Sequence, residues 1–258
     1  MEIFWWRGDK WVFQTYVCCD DFVTQAELEA IKQGLTETRL LFGSEVIFYG
    51  KDSWKLGKYK NATQLMNSMP RNSSGRVNAS QTLDRMVGLA NSWDEHRAMI
   101  LVTGLDLCTD NCGWCFGAAK PAYKVTIQSV NRYRGLSSMM ESACIRRTLR
   151  HEMGHIFCCA YSKYRSNTTD RLGIHCTNPG CSMRQTMSLN ELMAAALEED
   201  PRNCFCPQCL QDLRNFKAQY EKEERNRTRA LFGSSRRIRA WHSKTPACWP
   251  EYFLSWIF

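Results

Sequence analysis

Arg150-His151-Glu152-Met153-Gly154-His155-Ile156-Phe157 sets two imidazoles four residues apart around a glutamate. In a helix that spacing stacks both side chains one turn apart on a single face, where they can ligate one metal ion. The intervening glutamate then reaches a water on that metal as a general base. The pattern reads as the active-site helix of a zinc peptidase; the bland alternative is a surface helix with incidental histidines.

A catalytic zinc usually takes three protein ligands, and His175 is the best source of the third. It opens the run His175-Cys176-Thr177-Asn178-Pro179-Gly180-Cys181-Ser182-Met183, and Cys206-Pro207-Gln208-Cys209 follows. Cys176 and Cys181, with Cys206 and Cys209, offer four thiolates in two close pairs, the usual arrangement of a closed structural zinc site. The adjacency of His175 to Cys176 fastens the third catalytic ligand to that structural site.

With these residues the chain resembles the archaemetzincins, metzincin-type zinc peptidases, and most of all their eukaryotic members. The resemblance implies His151, His155 and His175 as ligands of a catalytic zinc, Glu152 as base, Cys176, Cys181, Cys206 and Cys209 as ligands of a structural zinc, and Met183 as the methionine turn beneath the metal. It extends upstream to Leu105-Asp106-Leu107 and Trp114-Cys115-Phe116-Gly117-Ala118-Ala119, and downstream to Glu198-Glu199-Asp200-Pro201-Arg202-Asn203. The fold it implies is α+β, a zincin/metzincin-like mixed β-sheet with an active-site helix and a small zinc-stapled C-terminal subdomain. The function it implies is a zinc metallopeptidase with two Zn2+ per chain, an aminopeptidase on short peptides as the family suggests. An extended substrate would lie along an edge strand formed by Trp114, Cys115, Phe116, Gly117 and Ala118, held through the backbone.

The chain departs from the family pattern between the second and third histidines. The family places its third histidine six residues after the second, with a glycine halfway; here position 158 is Cys and position 161 is Tyr. Leu172-Gly173-Ile174-His175 arrives later, after a polar stretch from Tyr161 to Arg171 that reads as an inserted surface loop. Such a loop costs little to close, and Gly173 is expected to turn His175 back to the zinc. A competing third ligand is Glu191, at the start of a downstream helix as in glutamate-using zincins. The competing function is a catalytically weak or inactive zinc-binding interaction protein that keeps the fold.

Length and composition fit one catalytic domain over residues 1–222, followed by a tail over residues 223–258. Within the domain, residues 1–159 supply the sheet and helices, residues 160–172 the insertion, and residues 173–222 a zinc-stapled segment. The chain has 258 residues, 44% of them apolar, enough for a sizeable core. No stretch reads as a signal peptide or membrane span, so a cytoplasmic or nuclear, monomeric protein with a peptide or protein substrate is expected. Without a secretory signal the 14 cysteines are read as reduced thiols. Cys108, Cys112 and Cys115 could supply a further metal site, though a fourth partner is missing at motif spacing. The formal charge of +8 gathers partly in Arg225 to Arg239, more simply a solvated run than a nucleic-acid surface.

Periodicity and turn signals give strands over 11–17, 45–49, 98–104, 114–118 and 123–129. They give helices over 24–41, with a Thr24 cap, Glu27 at the capping-box position and Gly43 beyond the end, over 82–91, and over 142–159 around the histidines.

Overall fold

The computed structural model describes residues 13–51, 57–90, 97–161, 165–170 and 172–233. Residues 11 and 12 of the first expected strand and residues 234–258 of the expected tail lie outside these residues. In chain order the elements are β1 (Gln14–Cys19), α1 (Gln25–Phe42), β2 (Glu45–Gly50), α2 (Ala62–Asn67), β3 (Val77–Asn78), α3 (Ala79–Ala90), β4 (Arg97–Thr103), β5 (Leu107–Thr109), β6 (Cys112–Cys115), β7 (Gly117–Lys120), β8 (Val125–Ser129), α4 (Ser138–Ile156), β9 (Thr168–Thr169), β10 (His175–Cys176), α5 (Leu189–Glu198) and α6 (Pro207–Gly233). The tail boundary expected at 222 falls inside α6.

The main sheet runs β2-β1-β4-β8-β7. The first four strands are parallel, and β7 closes one edge antiparallel to β8. β4 is apolar on both faces because helices cover both. Ala98, Ile100 and Val102 pack toward α1 and α4, while Met99 and Leu101 pack toward α2 and α3. β8 alternates differently: Val125 and Ile127 enter the second core, whereas the fully buried Thr126 and Gln128 face α4. Each finds a partner there, Gln128 Nε2 donating to the Ile145 carbonyl at 3.0 Å and Thr126 to Glu152 at 3.1 Å.

α1 begins as its sequence predicts. Thr24 accepts from the Glu27 amide, Glu27 accepts from the Thr24 amide, and Gly43 ends the helix at φ 63°. The expected strand over 114–118 is instead two strands in two sheets. Trp114 and Cys115 lie in β6, in a small sheet of order β3-β5-β6, and only Gly117 and Ala118 belong to the edge strand β7. Phe116 is the joint between them, where the chain leaves one sheet for the other.

The histidine-bearing helix also differs from expectation. It starts earlier, at a Ser137 cap that accepts from the Met140 amide, and stops at Ile156 rather than running through Cys159. Its end is a Schellman turn: Cys159 N–H bonds the Gly154 carbonyl at 2.9 Å and Cys158 N–H the His155 carbonyl at 3.1 Å. Cys158 holds the left-handed position at φ 60°, the place where such turns favour glycine.

The underside of α4 presents Arg146, Arg147 and Arg150, three and four residues apart and so on one face. Arg146 and Arg150 pair with Glu37 of α1, and Arg147 and Arg150 pair with Glu199 just after α5. Arg147, Arg150 and Glu199 each have a side chain at most 3% exposed. Buried guanidiniums need a buried counter-charge, so removing one partner leaves the others unpaired. Glu199→Gln is expected to lower the unfolding free energy by about 3–5 kcal/mol, read as the shift in urea midpoint at constant slope.

Candidate metal centre

α4 carries His151, Glu152 and His155, and β10 brings His175 to them. The three imidazoles each offer a ligand atom, and these atoms lie within 4.8 Å of one another. His151 Nδ1 meets the Ser182 carbonyl at 2.7 Å, His175 Nδ1 the Gly173 carbonyl at 2.9 Å, and His155 Nδ1 the Tyr161 hydroxyl at 3.4 Å. An Nδ1–H directed at a carbonyl leaves Nε2 with its lone pair, the form that ligates a metal. The His151 and His155 Nε2 atoms face each other at 3.1 Å.

Burial holds these rings neutral. It lowers His151 to about 3, helped by His175 nearby, and it depresses His155 and His175 as well. Three neutral, converging nitrogen donors fit a zinc ion, which suits imidazole ligands and asks for neutral ones.

Two glycines mark how tightly the surroundings close on this helix. A Cβ on Gly154 would lie 2.2 Å from the Met183 sulfur, so the fully buried methionine sits directly against the helix between the two histidines. A Cβ on Gly117 would lie 2.3 Å from Glu152 Oε1 and 2.9 Å from the Ile127 carbonyl. The Glu152 carboxylate therefore rests against the edge strand β7, its other oxygen bonded to Thr126. Burial raises Glu152 to about 8 against the opposing Thr126 hydrogen bond.

Cys176, Cys181, Cys206 and Cys209 form the second group, all buried, with their sulfurs within 4.8 Å of one another. Cys176 and Cys206 are 3.7 Å apart and Cys181 and Cys209 3.6 Å apart. These separations are too long for disulfides, yet they match a zinc tetrathiolate, whose sulfurs sit about 3.8 Å apart for Zn–S bonds of about 2.3 Å. Amides of Asn178 and Cys206 point at Cys176 and Cys181, each at 3.4 Å. Cys204, two residues before Cys206, stays outside the group; its carbonyl accepts from Ser182 N–H at 2.6 Å.

Other expectations resolve against metal binding. Glu191 lies exposed at the start of α5, where it accepts from the Met187 amide at 2.6 Å and its own amide is capped by Ser188. It belongs to a helix cap and is not in the three-histidine group. Cys108, Cys112 and Cys115 form no ligand cluster among the described residues. Cys112 and Cys108 are turned toward main-chain carbonyls, the former to Trp114 at 2.9 Å.

Sequence reasoning missed Thr126, Ser182, Tyr161 and Arg165, all of which touch site residues. Tyr161 carried a signal, since it stands six residues after His155, where the resemblance puts a histidine; Ser182 acts through its carbonyl and carried none. Gly154→Ala is expected to push Met183 out of place at a cost of about 1–3 kcal/mol, seen as a lower thermal midpoint. Replacing Met183 with the smaller Ala in the same chain should recover part of that loss.

No protein-family profile matches the chain, and no curated protein matches it by sequence. Solved structures do. An archaemetzincin from Methanopyrus kandleri aligns over 80% of this chain and 96% of its own, with TM-score 0.59 at 17% identity. A zinc-dependent peptidase from Methanocorpusculum labreanum aligns over 77% and 99%, with TM-score 0.55 at 18% identity. An archaemetzincin from Archaeoglobus fulgidus, complexed with malonate, aligns over the same shares with TM-score 0.50 at 20% identity. With its mixed sheet, antiparallel edge strand and histidine-bearing helix, this chain has the archaemetzincin fold.

Proposed function

We propose that the chain is a zinc metallopeptidase, with a catalytic zinc on His151, His155 and His175 and a structural zinc on Cys176, Cys181, Cys206 and Cys209. The observation that carries this reading is the convergence of three neutral imidazoles beside a carboxylate that lies against an edge strand. Bound there, zinc acidifies a water and polarises a carbonyl.

The residues divide the remaining work. Glu152 takes the proton from the attacking water and passes it to the departing amine, with Thr126 fixing one carboxylate oxygen so that the other is free to do so. β7 is the last strand of its sheet, so among the described residues one of its main-chain edges has no strand neighbour. An extended peptide can add there, with Gly117 and Ala118 offering backbone groups within reach of Glu152. Trp114 and Cys115 are not part of that edge. Met183 supports the metal-bearing turn of α4 from below.

Short peptides cut from their amino end are the substrate class we favour, acted on by a monomer in the cytoplasm or nucleus. None of the described helices is long and apolar enough to cross a membrane. The test pairs metal content with turnover. Wild type should carry two zinc ions and His175→Ala or Cys206→Ala one, while Glu152→Gln keeps both and loses about 10²–10⁴-fold in peptide hydrolysis. Undiminished cleavage by Glu152→Gln would remove Glu152 as the base, whereas unchanged zinc in His175→Ala with no peptide cut by wild type would make the non-catalytic binding protein the better account.

A further inference from the structure

The stretch between His155 and His175 is tied down at both ends. Arg165 has a side chain only 4% exposed. Its Nη1 donates to Cys209 Sγ at 3.1 Å and to Asp212 at 2.6 Å, and its Nη2 to Cys176 Sγ at 3.2 Å, with Cys206 Sγ at 3.9 Å. Its Nε bonds the Asn167 side-chain oxygen at 3.0 Å, and the Asn167 amide group points at Cys176 Sγ at 3.6 Å. The Asn167 carbonyl also accepts from Thr177 N–H at 2.9 Å. The next two residues, Thr168 and Thr169, are β9, which pairs antiparallel with Cys176 and His175 of β10. Within the expected surface loop, residues 165–169 are thus anchored on the sulfurs and laddered to the strand that holds the third histidine.

We infer that Arg165 is a positioning residue that couples the four-cysteine site to the three-histidine site, by anchoring β9, and with it His175, to the sulfurs and Asp212. The inference rests on both clusters binding zinc. Four thiolates around one Zn2+ carry two net negative charges, which a buried guanidinium offsets through charge-assisted hydrogen bonds. Arg165 touches none of the three imidazoles among its described contacts, so its influence on them runs through Asn167 and β9. A lysine could supply the charge but not the fork that bridges two sulfurs, Asp212 and Asn167 together.

Cobalt(II) separates the two sites, because thiolate ligands give strong sulfur-to-metal charge-transfer bands and imidazoles only weak visible bands. Wild type, Arg165→Gln, Arg165→Lys and Asn167→Ala would each be titrated anaerobically, with thermal unfolding of the loaded proteins alongside. In Arg165→Gln the charge-transfer band should still saturate at one cobalt per chain but shift in energy, while the imidazole site weakens roughly 10–100-fold. Arg165→Lys should recover part of that affinity, and Asn167→Ala, the milder change, should lose at least about threefold. Imidazole-site affinity within about twofold of wild type in both Arg165→Gln and Asn167→Ala overturns the inference. So does an equal loss at both sites with a lower thermal midpoint, the mark of general destabilisation. A wild-type chain lacking one of the two band types sinks the two-zinc reading itself, which the variants do not decide.

Discussion

Two consecutive residues of one strand face opposite sides, and the two candidate metal-ligand groups of this protein hang on that fact. His175 and Cys176 make up β10, so the imidazole turns to α4 and the thiol to the sulfur group. An extra residue between them would turn one of the two away from its partners. The same strand sets what lies behind the site. Cys176 N–H bonds the Met183 carbonyl at 3.0 Å, which places Met183 against Gly154. One residue earlier, the Ser182 carbonyl meets His151 at 2.7 Å. The sulfur group and the histidine group are therefore supports for one another rather than separate modules.

Much of this was legible because its chemistry depends on side-chain type at fixed spacing. The helical pair His151 and His155, with Glu152 between them, and the four cysteines come together as their spacing suggests. α1 was legible to within a residue at each end, since capping needs particular side chains at particular offsets: Thr24, Glu27 and Gly43. Sheet membership was not. The run from Trp114 to Ala118 has the composition of one strand, and only the three-dimensional path shows the switch of sheets at Phe116. Contacts made by carbonyls, such as that of Ser182, leave no mark in composition at all.

Among the described residues of the insertion, Ser166 and Asp170 are exposed as expected, whereas the Arg165 side chain is buried. The insertion's polar residues suggest a solvated loop, because polar groups usually lie at the surface. Burial of a polar group is possible where every donor is satisfied, and Arg165 has its Nε, Nη1 and Nη2 all engaged. The detour begins at Cys158 and Ala160, both left-handed at φ 60° and 72°. A non-glycine residue there costs about 1–2 kcal/mol. The Schellman hydrogen bonds, and the bond from Ala160 N–H to Asp212 at 3.0 Å, offset that cost and aim the chain at the sulfur group. Asp212 thus fixes the start of the detour and, through Arg165, its middle.

Charge explains why α4 can be buried so deeply while carrying three arginines on one face. Among the described residues, Arg146, Arg147 and Arg150 meet Glu37 and Glu199 as carboxylates, leaving one positive charge in excess within this group. Arg147 directs an Nη2–H at the Cys181 carbonyl at 3.2 Å, so this excess sits beside the sulfur group. Arg165 and Asp212 form a neutral pair on its other side. A tetrathiolate with two net negative charges would be poorly placed in an apolar interior, and here it would lie between the Arg165–Asp212 pair and the arginines of the histidine-bearing helix. The same helix therefore presents neutral nitrogens on one face and uncompensated positive charge on another. Substituting its arginines would disturb the sulfur group before it reached the imidazoles.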